Sequence, residues 1–167
     1  MGNTDGDADR EELYSFGGRS FSIWNSKGEQ IFDSGDDFEQ ITADIFPNFF
    51  NASNTNNNRD SRSTSKGPEP EAVSVGKAYG RTYAFIGLER IGGIMVYEIT
   101  DPYQPRFIQY INNRDFTAAT NSAAAKDLGP EGIHFIPEDE SPTGVPLIAV
   151  ANEISGTTSI YEFVRAE

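Results

Sequence analysis

The chain has 167 residues, of which 37% are hydrophobic and 12% aromatic, so it is long and apolar enough to bury the core of one ordinary domain. Its formal net charge of -13 argues against a nucleic-acid partner, because recognition of a phosphate backbone needs clustered Lys and Arg. The lack of cysteine excludes disulfides, a thiol nucleophile and a thiolate metal site, and no apolar run approaches the roughly 20 residues of a transmembrane helix.

An acidic segment, residues 1–12, begins the chain and is similar to a short calcium loop. The oxygen-bearing residues at positions 1, 3, 5 and 9 of such a loop are Asn3, Asp5, Asp7 and Glu11. Alternate oxygens in this arrangement converge on one hard cation. Ala8, however, occupies the position where the tight turn usually requires glycine. The segment therefore predicts a calcium site, and a solvated acidic end remains the alternative.

Residues 13–47 predict two strands, at 19–24 and 30–32, followed by a helix at 37–46. The apolar residues that share one face of this helix are Phe38, Ile41, Ile45 and Phe46. A proline at position 47 then ends the helix.

Residues 48–69 form a long polar loop, rich in Asn and Ser and without a strand pattern. Loops of this length in compact domains tend to be functional or mobile, so we expect it to fold over a nearby site as a lid. The loop contains an N-glycosylation sequon at residues 51–53.

Two related units follow, residues 70–112 and 130–167, with residues 113–129 as their connector. The sequence PEAV at 70–73 matches PEGI at 130–133 with an offset of 60, and residues 84–99 match residues 148–163 with an offset of 64. A third, partial copy is the sequence SFSIWN at 20–25. Strands in the two units are predicted at residues 72–75, 82–88, 94–99, 106–111, 133–136, 147–151 and 159–164.

A repeat of about 60 residues with roughly four strands is typical of a β-propeller blade. The sequence therefore predicts an all-β fold, an incomplete β-propeller with two full four-stranded blades, part of another blade and one short helix. Closure needs about four to eight blades. We therefore expect either further blades in a longer parent chain or self-association of copies, and a smaller sandwich is the alternative.

Matching acids occur at the same place in each unit. The first two strands of a blade are antiparallel, so the start of the first and the end of the second lie at one rim. This places Glu71 beside Glu89, and Glu131 beside Glu153. Clustered carboxylates repel one another, and a divalent cation relieves that repulsion. The sequence therefore predicts a metal site formed by these four residues.

Basic side chains accompany the acids. Arg62 and Lys66 are predicted to bind an anionic group such as phosphate, because Arg offers a planar fork of donors and Lys a point charge. Glu69 and Arg90 are expected in the same group. The alternative is structural: the acids accept backbone N–H bonds that join the blades, and Arg62 and Lys66 are their ion-pair partners.

We expect the remaining candidate residues to pack between blades or to lie on the surface. His134 is the only histidine, which excludes a multi-histidine zinc site, and we expect it on the surface of a blade. Trp24, Tyr97 and Tyr161 occupy one position of the repeat and are expected to pack between blades.

Five segments together resemble the C-terminal part of the choice-of-anchor I family: GRSFSIWN, IFDSGDDFEQI, RDSRSTSKGPEPEAV, IGLERIGGIMVYEITDP and DLGPEGIHFIP. That family consists of extracellular proteins, among them mesenchyme-specific cell-surface glycoproteins and bacterial proteins labelled alkaline phosphatase. The resemblance covers residues 3–163. It implies a β-propeller, export or surface display, and a setting rich in calcium or phosphate.

Two functions follow as expectations. The first is the C-terminal fragment of an extracellular or cell-surface β-propeller that binds calcium, or another divalent cation, and has a binding or matrix role towards cell-surface components. The second is a metal-dependent phosphoesterase, in which a metal held by the rim carboxylates polarises a phosphate ester and activates water. No catalytic side chain is assigned from the sequence.

Overall fold

The computed structural model describes residues 17–165. The predicted calcium loop, with Asn3, Asp5, Asp7 and Glu11, lies outside the described residues. The elements in chain order are β1 (Ser22–Trp24), β2 (Gln30–Asp33), α1 (Asp37–Ile45), β3 (Pro70–Ala78), β4 (Arg81–Leu88), β5 (Ile94–Glu98), β6 (Arg106–Ile111), a 3-10 turn (Ala123–Ala125), β7 (Pro130–Ile136), β8 (Leu147–Asn152) and β9 (Thr157–Glu162). The prediction of a mostly β chain with one short α-helix is confirmed.

The described strands form three antiparallel sheets, which do not close into a barrel. Sheet 1 contains β1 and β2, sheet 2 contains β3 to β6, and sheet 3 contains β7 to β9, each in chain order. Every neighbouring pair of strands in a sheet is antiparallel. No helix in residues 17–165 is long and apolar enough to cross a membrane.

Strands β3 and β7 begin at Pro70 and Pro130, earlier than the sequence pattern predicts. Proline cannot donate to the hydrogen-bond ladder but is tolerated at the first position of a strand. In both sheets the register shifts directly after this proline, between Pro70 and Ala72 and between Pro130 and Gly132. The two sheets therefore start in the same irregular way, as the internal repeat predicts.

The prediction of two four-stranded units is wrong for the second unit within the described residues, because sheet 3 contains three strands. Among the described residues, sheet 3 has no strand equivalent to β6, which is the outer strand of sheet 2.

Strands β4 and β5 of sheet 2 lie at the centre of the molecule because both of their faces are covered. On one face, Ile86 and Tyr97 belong to a cluster that also contains Phe38 of α1. On the other face, Phe85 and Phe135 belong to a cluster shared with sheet 3, and their rings stack with centroids 5.6 Å apart. Burial of both faces explains why β4 and β5 read as continuous apolar runs and not as alternating ones.

Two packing predictions are wrong. The sequence places Ile45 on the apolar face of the helix, but Ile45 is exposed, and Thr42 is buried in α1 instead. The Thr42 hydroxyl donates to the carbonyl of Phe38 over 2.7 Å, which satisfies it inside the core. The repeat predicts that Trp24 packs like Tyr97, yet Trp24 is 59% exposed whereas Tyr97 is buried.

The loop at residues 48–69 is attached to the body of the protein along its length. Arg19 donates to the carbonyls of Ser63 and Ser65 over 2.8 and 2.7 Å. Asn51, the acceptor residue of the sequon, is fully buried and donates to Glu39 Oε1 over 2.7 Å. These bonds are typical of a fixed structural loop.

Candidate functional site

The four carboxylates predicted to share a rim meet where sheet 2 adjoins sheet 3. Glu71 and Glu131 are the second residues of β3 and β7, and Glu89 and Glu153 directly follow β4 and β8. Carboxylate oxygens of Glu89, Glu131 and Glu153 lie within 4.8 Å of one another. A second group with the same spacing consists of Glu69, Glu71 and Glu89. Glu89 belongs to both groups and is therefore the centre of the cluster.

Glu89 is 4% exposed, and its two carboxylate oxygens differ in their surroundings. Oε1 accepts a hydrogen bond of 2.6 Å from Asn54 Nδ2 and lies 3.0 Å from Arg90 Nη1. Oε2 is buried and has no hydrogen-bond partner among residues 17–165. A buried oxygen without a partner loses its hydration without compensation, so it favours a ligand at this position.

The electrostatic surroundings of Glu89 oppose a negative charge. Burial raises the pKa of its carboxyl to about 6, assisted by the neighbouring charges of Glu69, Glu71 and Glu131, although Arg90 acts in the opposite direction. Local desolvation together with the carboxylates of Glu153 and Glu71 also raises the pKa of Glu131. The cluster is therefore short of positive charge on the side that faces sheet 3.

Glu69 is also buried, but it is fully paired. Its carboxylate accepts hydrogen bonds from Arg62 Nη2 over 2.9 Å and Arg90 Nε over 2.6 Å, and it contacts Lys66 Nζ. Although burial favours its neutral form, hydrogen bonds from Arg90 and Lys66 lower the pKa of Glu69 to about 2. Glu69 therefore anchors the basic side chains.

Arg62 and Lys66, the predicted anion ligands, lie at this site and face carboxylates. Arg62 pairs with Glu69, and Lys66 Nζ contacts Glu69 and lies 3.6 Å from Glu71 Oε1. An anion at these side chains would compete with Glu69 for the same donors.

The formal charges of the group do not cancel. Five carboxylates and three cations leave a charge of -2, which one divalent ion would neutralise. The members of the group are Glu69, Glu71, Glu89, Glu131, Glu153, Arg62, Lys66 and Arg90.

The open side of the cluster faces a surface pocket of about 530 Å³, bordered by Glu131, Asn152, Glu153 and Thr158. Glu131 and Glu153 are exposed and border this pocket, whereas Glu89, whose carboxylate lies within 4.8 Å of theirs, is buried. A small ion can therefore approach the cluster from solvent.

The sequence predicts that the four rim acids lie together, but it does not predict which residues orient them. It gave Glu69 and Arg90 no role, and it did not find Asn54, which holds Glu89. Asn54 lies in a loop without periodic structure, so no spacing rule links it to a residue 35 positions away. His134, expected on the surface, is exposed on β7 and lies outside the cluster.

The described residues thus form a mostly β protein of three antiparallel sheets, with an acidic cluster at the junction of two of these sheets. The family model of the choice-of-anchor I domain matches residues 1–102. The chain therefore belongs to the choice-of-anchor I family, as its sequence motifs indicate.

Two curated relatives are similar to this chain. Gigasin-3a of Magallana gigas is 34% identical, over 93% of this chain and 59% of its own length. The mesenchyme-specific cell surface glycoprotein of Strongylocentrotus purpuratus is 29% identical over 102 residues, which are 53% of this chain and 13% of that protein. The chain thus spans less than two thirds of each relative. No solved structure matches it.

Proposed function

We propose that this protein is part of an extracellular or cell-surface β-propeller that binds a divalent cation between two adjacent blades. The cation that we expect is calcium. In this proposal sheets 2 and 3 are neighbouring blades, and β3 and β7 are their inner strands. The name of the cell-surface relative supports an extracellular location. The internal repeat and the stacking of sheet 2 on sheet 3 support the propeller.

The observation that carries the proposal is the unpartnered, buried Oε2 of Glu89 in a group with Glu131 and Glu153. Oxygens bound to one Ca²⁺ at about 2.4 Å lie at most about 4.8 Å apart. The spacing of these three carboxylates satisfies that limit. Since Glu89 belongs to sheet 2 and the other two to sheet 3, a bound ion would join the sheets.

A binding role fits the site better than phosphoester hydrolysis does. Hydrolysis needs positive groups that are free to hold a phosphoryl group. Arg62, Lys66 and Arg90 all contact the Glu69 carboxylate. We therefore propose a structural and binding role for the cation, with cell-surface or matrix components as partners of the whole protein.

Calcium titration of the full chain tests the proposal. We expect binding heat in calorimetry and a rise in the melting temperature, because a ligand bound only by the folded state stabilises it. The residues 1–12 are a second predicted calcium site, so the double variant Asp5→Asn/Asp7→Asn isolates the inter-sheet site.

The decisive variant is Glu89→Gln in that background, which keeps the shape of the side chain and removes its charge. Glu140→Gln, an exposed acid outside the cluster, is the matched control. We expect the binding heat to disappear in the first variant and to persist in the second. Binding that is unchanged in Glu89→Gln, or turnover of a phosphate ester that calcium supports, would contradict the proposal.

A further inference from the structure

Arg114, in the connector after β6, is a buried cation without a carboxylate partner among the described residues. Its guanidinium carbon lies 4.6 Å from the centre of the Phe116 ring. Burial lowers the pKa of Arg114 to about 10, although Tyr110 acts in the opposite direction. A buried charge is costly unless hydrogen bonds compensate it, so the acceptors around this side chain indicate its role.

The acceptors of Arg114 come from two separate segments. Nη1 donates to the carbonyls of Arg90 and Ile91 over 3.0 and 3.2 Å. Nη2 donates to the carbonyl of Ser53 over 2.7 Å and to Asn57 Oδ1 over 2.7 Å. One planar group therefore joins the turn after β4 to the long polar loop.

These two segments carry the residues that hold Glu89. Asn54 lies next to Ser53 and donates to Glu89 Oε1, and Arg90 Nη1 bonds to Asn54 Oδ1 over 3.1 Å and lies 3.0 Å from the same Glu89 oxygen. The two contacts occupy Oε1 and leave Oε2 unpartnered. If the loop and the turn separated, Asn54 would leave Glu89 and the carboxylate could rotate.

We propose that Arg114 is a positioning residue for the cation site: by joining the loop at residues 53–57 to the turn at residues 90–91, it fixes Glu89 with one oxygen free for the ion. This inference rests on the proposed function of the cluster. Arg114 itself does not contact the ion. Its contribution is the orientation of a ligand, as partners of metal ligands provide in other metal sites.

Arginine suits this role because its rigid fork presents donors in two directions at once. Lysine keeps the charge but offers a single ammonium group, which cannot bond to both segments in the same geometry. Arg114→Lys therefore removes the bridge without removing the positive charge.

The test uses the full chain in the Asp5→Asn/Asp7→Asn background, with Tb³⁺ and Ca²⁺ as probes. We expect Arg114→Lys to lower the affinity of the inter-sheet site by roughly tenfold, the low end of the effect of losing a direct partner of a metal ligand, because Arg114 acts on Glu89 through Asn54 and Arg90. The luminescence lifetime of bound Tb³⁺ should shorten, because a water molecule replaces the misoriented Glu89. Merely lower stability of the fold would not change the number of coordinated waters.

Arg106→Lys is the matched control, since Arg106 is an exposed arginine that pairs with Glu98, outside the acidic cluster. It should leave both affinity and lifetime unchanged. Asn57→Ala, which removes one acceptor of Arg114, is a milder variant for the case in which Arg114→Lys does not fold, and it should weaken binding in the same direction.

The outcomes separate the two proposals. No ion binding in the background protein would overturn the proposed function and this inference together. Ion binding with the same affinity and lifetime in Arg114→Lys or Asn57→Ala would overturn only the role of Arg114. Weaker binding with a shorter lifetime, against an unchanged Arg106→Lys, is the expected result.

Discussion

Gly76 of β3 lies directly against the ring of Phe135 of β7, so closely that a Cβ atom on Gly76 would lie 2.2 Å from Phe135 Cδ1. This contact sets the distance between sheets 2 and 3. The same approach of β3 to β7 brings the acids at the starts of both strands to one junction. The geometry of the cluster therefore depends on a glycine that is not part of it.

Gly76→Ala should destabilise the protein by about 1 to 3 kcal/mol, because the added methyl group overpacks the junction. Urea denaturation measures the loss. Gly18→Ala is the control, since a Cβ at Gly18 meets no atom within 4 Å. The double variant Gly76→Ala/Phe135→Leu should recover part of the stability, because the smaller side chain leaves room for the methyl group. If Gly76→Ala and Gly18→Ala lost equal stability, the contact between Gly76 and Phe135 would not limit the packing.

Glu89→Gln should have opposite effects with and without calcium. Without calcium it removes a buried charge that neighbouring acids oppose, so we expect the free energy of unfolding to rise by about 1 kcal/mol. In the Asp5→Asn/Asp7→Asn background, saturating calcium should stabilise the protein with Glu89 and not the Glu89→Gln variant, so their order of stability reverses. Thermal melting at both calcium levels measures this reversal, and a variant that is less stable under both conditions would contradict it.

Glu69→Gln should be strongly destabilising. Glu69 is buried and pairs with Arg62, Lys66 and Arg90. Its neutralisation removes the one carboxylate that Arg62 contacts among the described residues, and it leaves Lys66 and Arg90 with only their carboxylate contacts to Glu71 and Glu89. Removal of one partner from a buried ion pair costs about 3 to 5 kcal/mol, which we take as an upper range here because the cations are partly exposed. Chemical denaturation of Glu69→Gln beside Glu140→Gln measures the effect, and similar stabilities of the two variants would refute the central role of Glu69.

Asp127 joins the connector to β9 and should give a pH-dependent contribution to stability. Burial opposes its charge, but hydrogen bonds from Ser159, Thr157 and Asn113 outweigh burial and lower the pKa of Asp127 below its ordinary value of 3.8. The folded state therefore prefers the carboxylate, and the stability from this preference is complete above pH 3.8 and is lost as the pH falls further.

Asp127→Asn should accordingly cost about 1 to 2 kcal/mol at neutral pH and less near pH 3. Urea denaturation across this pH range measures the difference from the wild type. Asp139→Asn, an exposed acid in the loop after β7, is the control. A difference that stays constant down to pH 3 would show that Asp127 does not titrate as proposed.

The strands could be predicted from sequence because short β-branched and aromatic runs end at glycine, proline or asparagine. The meeting of Glu89 with Glu131 and Glu153 followed from the repeat, since equivalent positions of two stacked sheets lie at one junction. The contacts of Arg114 and Asn54 could not be predicted in this way. They come from an irregular loop, whose course is set by specific hydrogen bonds and not by a period.

Exposure was the property that sequence predicted least well. Trp24 and Tyr97 occupy the same position of the repeat, yet only Tyr97 has α1 and the aromatic side chain of Phe21 packed against it. Val73 of β3 is likewise 64% exposed, although Ile86, its partner on β4, is buried. Burial depends on which neighbour is present, and the local pattern does not contain that information.

The sequon at residues 51–53 should carry no glycan in the folded protein. Asn51 is fully buried, and its Nδ2, the atom that a glycan would modify, donates to Glu39 Oε1 and to Ser63 Oγ. A glycan at this atom would break both bonds and displace the loop from α1, so modified chains should not reach the native fold. Mass spectrometry of the protein secreted from a glycosylating host, before and after glycosidase treatment, measures occupancy. Asn51→Gln removes the sequon. It should lower the stability of the protein and change its mass only by the substitution itself. A stable wild type with a glycan at every Asn51 would contradict the burial of this residue.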